Sequence, residues 1–196
     1  MGLPTLPPAL LDHLRARYAE PHRHYHTLAH VESLLRHLDT HRAMAREPGH
    51  VEAAIWYHDV VYDPRASDNE VASADVARFE LMSIGWLGSD VERVAGMVEA
   101  TRHHHADEAD GDTALFLDLD LSVLATAPDR YDAYAAAVRR EFDWVSDSDW
   151  RQGRARVLEG FLARDTLYRT PALEAAWDAP ARANLRRELA GLTGTA

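Results

Sequence analysis

Apolar residues recur at spacings of three and four through most of the chain, which is the pattern of amphipathic helices. Proline, glycine and N-cap residues divide this pattern into segments. It predicts helices at about 8–20, 27–47, 50–62, 69–84, 89–105, 113–125, 129–145, 148–166 and 180–191. The fold class is therefore all-α, a bundle of eight or nine helices.

Capping residues support two of the predicted starts. Asp68 is placed as the N-cap of the helix at about 69–84, and Ser89 with Glu92 has the capping-box spacing for the next helix. The acidic segment 106–111 that follows is predicted to be a loop. One stretch, 117–123, alternates apolar and polar residues as a half-buried strand does. We assign it to a helix, because a lone strand would leave its backbone groups without partners.

The length of 196 residues suits a single domain, and we expect one domain over 1–196. A hydrophobic content of 46% and a charged content of 27% are typical of a globular chain. There is no cysteine, so thiol nucleophiles, thiolate metal sites and disulfides are excluded. Histidine, aspartate and glutamate remain as the strong metal ligands.

Charge limits the partners that the chain is expected to have. The net charge is -11, which disfavours binding to a nucleic-acid duplex or to an anionic membrane. All 21 basic residues are arginine, so Schiff-base lysine chemistry and a Walker-type phosphate loop are excluded. Met1-Gly2-Leu3-Pro4 does not resemble the start of a signal peptide, and no run of eighteen apolar residues occurs. We expect a cytoplasmic protein.

The predicted third helix carries ionisable residues on an apolar face. His58 follows Val51, Ala54 and Ile55 on that face, and Asp59 lies at its edge. Burial of an uncompensated carboxylate costs several kcal/mol. Asp59 is therefore expected to be exposed, paired with a cation or bound to a metal.

Histidines also cluster elsewhere. Four lie in the segment 22–30, and His26 and His30 are separated by one helical turn, a spacing that can hold a metal ion. Three more, at 103–105, end the predicted fifth helix, and we expect at most one or two of them to reach a common site. Asp118 and Asp120 lie in the apolar segment 117–121, where a buried carboxylate is expected to need a cation as its partner. Asp120 shares a helical face with apolar neighbours.

This order of a histidine, a His-Asp pair and a distant aspartate in an apolar helix resembles the HD-domain superfamily of metal-dependent phosphohydrolases. The chain is similar to a bacterial group of predicted HD-superfamily phosphohydrolases. The resemblance is carried by the segments 25–30, 56–64, 68–74 and 116–121. It extends through Tyr131, Tyr134, Arg139, Glu141, Gly153, Arg154, Arg182 and Asn184, and so covers most of the chain.

The resemblance implies that one divalent ion is held by His26, His58, Asp59 and Asp120. His30 remains an alternative to His26, and Asp118 an alternative to Asp120. The ion could be manganese, magnesium, zinc, iron, nickel or cobalt. It would activate a water molecule for attack on a phosphoester.

The proton acceptor expected from the resemblance is Asp63, with Glu70 as the alternate base and Asp59 as the third catalytic carboxylate. The substrate would be a nucleotide or another small phosphorylated metabolite. The groups nominated to bind it are His30, His104, Arg139, Arg154 and Arg182.

Two other functions are compatible with the sequence. One is a di-iron oxygenase of the HD type, which the additional histidines His30 and His104 suggest. The other is a non-catalytic HD module that binds a nucleotide. The sequence leaves homo-oligomerisation open.

Overall fold

The computed structural model describes residues 3, 5–107 and 109–194. Met1, Gly2 and Pro4, used above to predict the location, and Glu108 of the predicted acidic loop lie outside the described residues. The described residues are helical or irregular, with no strand among them, which confirms the all-α prediction. No helix within these ranges combines the length and the apolar character that a membrane crossing needs.

The helices of the described residues follow the predicted order. They are α1 (Pro8–Arg17), α2 (Leu28–His41), α3 (Pro48–Tyr57), α4 (Asn69–Ser83), α5 (Gly88–Ala100), α6 (Gly111–Asp120), α7 (Pro128–Glu141), α8 (Asp147–Leu162) and α9 (Pro171–Thr193). Short 3-10 helices at Arg42–Met44 and Leu121–Ala125 directly follow α2 and α6.

The chain divides into two compact units, residues 1–119 and 120–196. The boundary lies one residue before the end of α6, so Asp120 belongs to a helix whose other residues are all in the first unit. We describe each unit by itself. A single domain over 1–196 stays a prediction.

In the first unit, α3 is the central helix and packs against α2, α4 and α5. Its residues are apolar nearly all round, and a helix of this kind is expected to be buried. Val51 and the whole segment 53–57 are buried. The carboxylate of Asp112, at the start of α6, accepts the backbone N–H groups of Arg46 (2.7 Å) and Glu47 (3.0 Å) just before α3. This pair of bonds ties the beginning of α6 to the beginning of α3.

In the second unit, α9 packs against α8 and against the 3-10 helix at Leu121–Ala125. The side-chain amide of the buried Asn184 donates to the carbonyls of Leu124 (2.9 Å) and Thr126 (2.8 Å). The buried hydroxyl of Tyr168 donates to the carbonyl of Leu121 (3.0 Å). These bonds satisfy carbonyl groups of the 3-10 helix and of the residue that follows it.

Several predicted boundaries are wrong. The third helix ends at Tyr57 instead of near residue 62, because after the bond from the His58 N–H to Ala54 the chain turns, with the Val60 N–H bonded to Tyr57. The fifth helix ends at Ala100, so residues 103–105 lie beyond it. The last helix begins at Pro171, nine residues before the predicted start, because proline is well suited to the first helical turn.

The local predictions near these boundaries also differ in outcome. The segment 117–123 is helical up to Asp120 and 3-10 beyond it, which confirms the choice of helix over strand. The capping box of Ser89 and Glu92 is not formed, because α5 already begins at Gly88. Asp68 occupies the N-cap position of α4, but its side chain makes no capping hydrogen bond.

Candidate metal centre

Three side chains with metal-binding atoms come together in the structure, from His30, His58 and Asp120. One ligand atom from each lies within 4.8 Å of the others. The two imidazoles are closest, with 3.1 Å between His30 Nε2 and His58 Nε2. Among the described residues this is the only group of three or more such side chains.

Three helices place these side chains. His30 is in the first turn of α2 and 7% exposed, and His58 follows the last residue of α3 and is 2% exposed. Asp120 is the last residue of α6 and is half-buried. The ring of the fully buried Phe116, one turn before Asp120, lies edge-on to the His58 ring at 5.9 Å. The group therefore has an apolar wall on the α6 side.

Hydrogen bonds define the tautomer of His58. Its Nδ1 lies 2.9 Å from the carbonyl oxygen of Ile55, which can only accept, so Nδ1 carries a proton, and in the neutral ring Nε2 is then the nitrogen with the lone pair. The Nε2 atom thus presents the lone pair that a metal ligand needs. A hydrogen bond of this kind to the other ring nitrogen is the usual support of a metal-binding histidine.

His30 has a corresponding support. Its Nδ1 lies 3.2 Å from the hydroxyl of Tyr25, and its Nε2 faces the acceptor nitrogen of His58. The two Nε2 atoms must share a proton or a cation, because two lone pairs at 3.1 Å repel each other. A divalent ion meets this requirement for both rings at once, so the residues fit such an ion.

Asp59 lies beside the same group. Its carboxylate oxygen Oδ2 is 3.0 Å from His58 Nε2, and its side chain is 19% exposed. Three of the four ligands implied by the resemblance, His58, Asp59 and Asp120, are therefore at or next to the observed group.

His26 is not a member of the group, and the alternative, His30, is. His26 lies in a bend before α2 instead of in the helix, so the helical spacing assumed for the pair does not apply. Its ring lies 4.2 Å from the Tyr62 ring and 6.3 Å from the His30 ring, measured between centroids. Asp118 is buried but is likewise outside the group, which contains Asp120 as the helical phase favours.

The two predicted bases are not in the group either. The Asp63 carboxylate is exposed and accepts the backbone N–H of Arg65 (2.9 Å), while its backbone is bound by the side-chain amide of Asn69. These contacts give Asp63 a structural role in the turn before α4. Glu70 is half-buried in the first turn of α4, where a negative charge stabilises the helix.

The nominated arginines are held by protein groups of the second unit. Arg139 donates to the carbonyls of Phe142 and Val145 and to the carboxylate of Asp147, and so closes the end of α7. The buried Arg154 forms a two-point ion pair with Glu188.

Arg182 is held in the same way, by Asp178 and by three backbone carbonyls at 162–165. Substrate binding by the three arginines stays a prediction. His104 lies in the turn after α5 with a φ of 45°, an uncommon conformation for a residue other than glycine. His104 is not one of the three residues of the metal-binding group.

Two supporting residues were missed in the sequence. Tyr25 supports His30, and Arg23 lies buried beneath the backbone of Asp59, to which it donates a hydrogen bond of 2.7 Å. Both are within the histidine-rich segment 22–30. An arginine and a tyrosine among candidate ligands could have been suspected of a supporting role on that ground.

The charge of the chain is concentrated in the unit that carries His30 and His58. Residues 1–119 hold ten arginines against twenty aspartates and glutamates, a net charge of -10 out of -11. All twelve histidines are in the same range. This charge favours the binding of a cation and opposes the approach of a phosphate that no cation compensates.

Comparisons with family models, with curated proteins and with solved structures find no match to this chain. A function has to be inferred from the chemistry of the site itself.

Proposed function

We propose that the protein is a metal-dependent phosphohydrolase of the HD type that acts on a nucleotide or another small phosphorylated metabolite. The observation that supports this most is the grouping of His30, His58 and Asp120 within 4.8 Å, with Asp59 beside His58. Two imidazoles and one or two carboxylates are a common donor set for catalytic divalent ions.

The donor set narrows the choice of ion. Imidazole suits manganese, iron, cobalt, nickel and zinc, whereas magnesium prefers oxygen ligands and keeps several water molecules. We therefore expect a transition-metal ion in preference to magnesium. When bound, such an ion lowers the pKa of its water and neutralises charge on a phosphoryl oxygen.

Other residues of the chain orient the two imidazoles and shape the surroundings of the group. Ile55 and Tyr25 hold the two imidazoles in orientation through the outer ring nitrogens. Phe116 keeps one side of the group apolar, which strengthens electrostatic interactions with a charged substrate. His30 and His58 are thus prepared as ligands before an ion binds.

A carboxylate is also needed to take up a proton from the attacking water. Asp59 is a carboxylate beside the group, since its Oδ2 lies 3.0 Å from His58 Nε2. Asp63 is occupied in its turn by the Arg65 N–H. We therefore assign the proton-accepting role to Asp59 in preference to Asp63 and Glu70.

The oxygenase alternative has less support in this arrangement. Its di-iron form depends on His30 and His104 as histidines added to the basic ligand set. His30 is a member of the basic group itself, and the group does not contain His104. The non-catalytic nucleotide-binding module stays an alternative that turnover measurements can decide.

The test is phosphate release from a panel of nucleoside mono-, di- and triphosphates and aryl phosphates. The protein is stripped with a chelator and reloaded with manganese, cobalt, nickel or, without oxygen, iron. We expect metal-dependent release that falls at least about 100-fold in His58→Asn and Asp120→Asn. Stoichiometric metal binding without turnover of any phosphoester would favour the binding module, and two irons per chain with oxygen consumption would favour the oxygenase. A cytoplasmic location is part of the same proposal.

A further inference from the structure

Arg23 is a fully buried cation with an unusual set of partners. Its side chain has 0% exposure. Nη1 donates to the carbonyls of Asp59 (2.7 Å) and His26 (3.1 Å), Nη2 donates to the carbonyl of Val60 (3.1 Å), and Nε donates to the carboxylate of Glu20 (3.0 Å). Three of the four acceptors are therefore backbone carbonyls.

Two irregular segments supply these carbonyls. We call residues 21–27, before α2, the His26 loop, and residues 58–62, after α3, the Asp59 loop. Backbone hydrogen bonds in these loops are local, such as those from the Thr27 N–H to the Tyr25 carbonyl and from the Val60 N–H to the Tyr57 carbonyl. Side chains join the loops to each other, with the Arg23 guanidinium contacting backbone of both.

The burial of Arg23 is costly. Removing a cation from water costs several kcal/mol unless it is well paired, and its only carboxylate partner in these contacts, Glu20, is itself 28% exposed. Cation–π contacts with Tyr18 and Tyr62, whose ring centroids lie 5.1 Å and 5.5 Å from the guanidinium carbon, offset part of that cost. A neutral side chain would avoid this desolvation cost. We therefore attribute the presence of a buried arginine to the hydrogen bonds by which it joins the two loops.

The hydrogen bonds of Arg23 hold the part of the chain that places Asp59 beside the metal-binding group. The carbonyl that accepts the shortest Arg23 bond belongs to Asp59, whose carboxylate lies 3.0 Å from His58 Nε2. On its other side the loop is held by the buried Ser73, whose hydroxyl accepts from the Val61 N–H (3.1 Å) and donates to the Val61 carbonyl (3.2 Å). Arg23 and Ser73 thus hold three consecutive residues of the loop.

We propose that Arg23 is a positioning residue of the metal centre, which fixes the Asp59 loop against the His26 loop and thereby sets where Asp59 stands beside His58. This inference rests on the proposed metal-dependent function. Lysine cannot replace Arg23 in this role, because a single ammonium group cannot reach four acceptors arranged around a planar fork.

The test uses Arg23→Lys with cobalt(II) as the probe. We measure the dissociation constant of Co²⁺, the visible absorption spectrum of the bound ion, and hydrogen exchange in residues 58–62. We expect binding weakened about 10- to 100-fold, as for other groups that orient metal ligands, an altered Co²⁺ spectrum and faster exchange in the Asp59 loop.

The matched control is Arg78→Lys. Arg78 pairs with the carboxylates of Asp75, Glu92 and Glu99 between α4 and α5, and it has no contact with either loop. We expect this variant to lose stability while the Co²⁺ affinity stays within about twofold and the spectrum is unchanged. The comparison separates a general loss of stability from a loss of positioning.

The outcomes are distinguishable. Wild-type protein that binds no Co²⁺ overturns the proposed function and this inference with it. If the wild type binds Co²⁺ and Arg23→Lys binds it equally well with an unchanged spectrum, the positioning role of Arg23 is refuted while the metal centre stands. If Arg23→Lys does not fold, Arg23→Gln is measured, which cannot make the bonds to both loops, and unchanged Co²⁺ binding and loop exchange in that variant also refute the role.

Discussion

Substitution of the two histidines that the sequence could not separate gives the sharpest prediction about the metal ligands. His30→Asn removes one of the two imidazoles whose Nε2 atoms face each other at 3.1 Å. His26→Asn removes a ring whose centroid is 6.3 Å from that of His30 and whose side chain is outside the group. Only the first change takes away a ligand of the proposed ion.

The magnitude follows from linkage between binding and stability. Loss of a group that merely orients a ligand costs about 10- to 100-fold in metal affinity, so loss of the ligand itself is expected to cost at least about 100-fold. At a free metal concentration of about 1,000 times the wild-type Kd, bound metal stabilises the wild type by about 4.1 kcal/mol. A variant with a Kd 100-fold higher gains only about 1.4 kcal/mol at that concentration.

The assay is thermal unfolding with and without Co²⁺ for each protein. The difference of about 2.7 kcal/mol corresponds to a metal-induced rise in Tm that is about 5–11 °C smaller in His30→Asn than in the wild type. His26→Asn is expected to keep the full rise. If Co²⁺ raises the Tm of His30→Asn as much as that of the wild type, or if the rise is lost only in His26→Asn, the choice of His30 as the metal ligand is refuted.

Three further predictions concern support of the site and of the helices around it. Tyr25→Phe removes the hydroxyl at His30 Nδ1, and titration calorimetry should show Co²⁺ affinity lowered about 10-fold; unchanged affinity would exclude this support. The Arg93 guanidinium holds the pKa of Asp110 well below its usual value of 3.8, so the stability that this carboxylate contributes is present above pH 3.8 and is lost as the pH falls below it. Asp110→Asn should therefore lower the free energy of unfolding in urea by about 1–3 kcal/mol at pH 7, and a difference that persists undiminished at pH 3 would contradict this cause. Phe116→Ala leaves a cavity at a fully buried position, and we expect the free energy of unfolding to fall by about 3–5 kcal/mol in the same assay. A fall of less than about 1 kcal/mol would contradict this expectation.

The helices were predictable from the sequence because their apolar periodicity and their prolines act locally. Pro8, Pro48 and Pro128 each stand in the first turn of a helix, as their fixed φ favours. The choice of helix for the segment 117–123 was also correct. It rested on the whole fold, because a single strand in an all-helical chain would have had no partner for its backbone hydrogen bonds. The predicted start of the last helix, near residue 180, is wrong, because α9 begins at Pro171 and continues through Pro180.

The ligand pair His58-Asp59 and the distant Asp120 were recognisable from their apolar surroundings. The choice between His26 and His30 was not, because it depends on where α2 begins. The chain bends over residues 24–27 and becomes helical at Leu28, so His30 points into the buried first turn while His26 stays outside. A shift of the helix start by one residue is beyond what a local pattern resolves.

The hydrogen-bond acceptors of Arg23 could not be derived from the local sequence. Its principal acceptors, the carbonyls of Asp59 and Val60, are 36 and 37 residues away along the chain. Backbone carbonyls carry no sequence signature, so a side chain that binds them is visible only in three dimensions. The same holds for Asp112, which holds the start of α3 from a distance of 65 and 66 residues.

A crystal of the protein grown with manganese or cobalt, with data collected at the absorption edge of that metal, tests the metal centre most directly. We predict one strong anomalous peak within about 2.0–2.3 Å of the Nε2 atoms of His30 and His58 and of a carboxylate oxygen of Asp120. A peak bound instead by the histidines at 103–105, or none at all at saturating metal, would contradict the assignment.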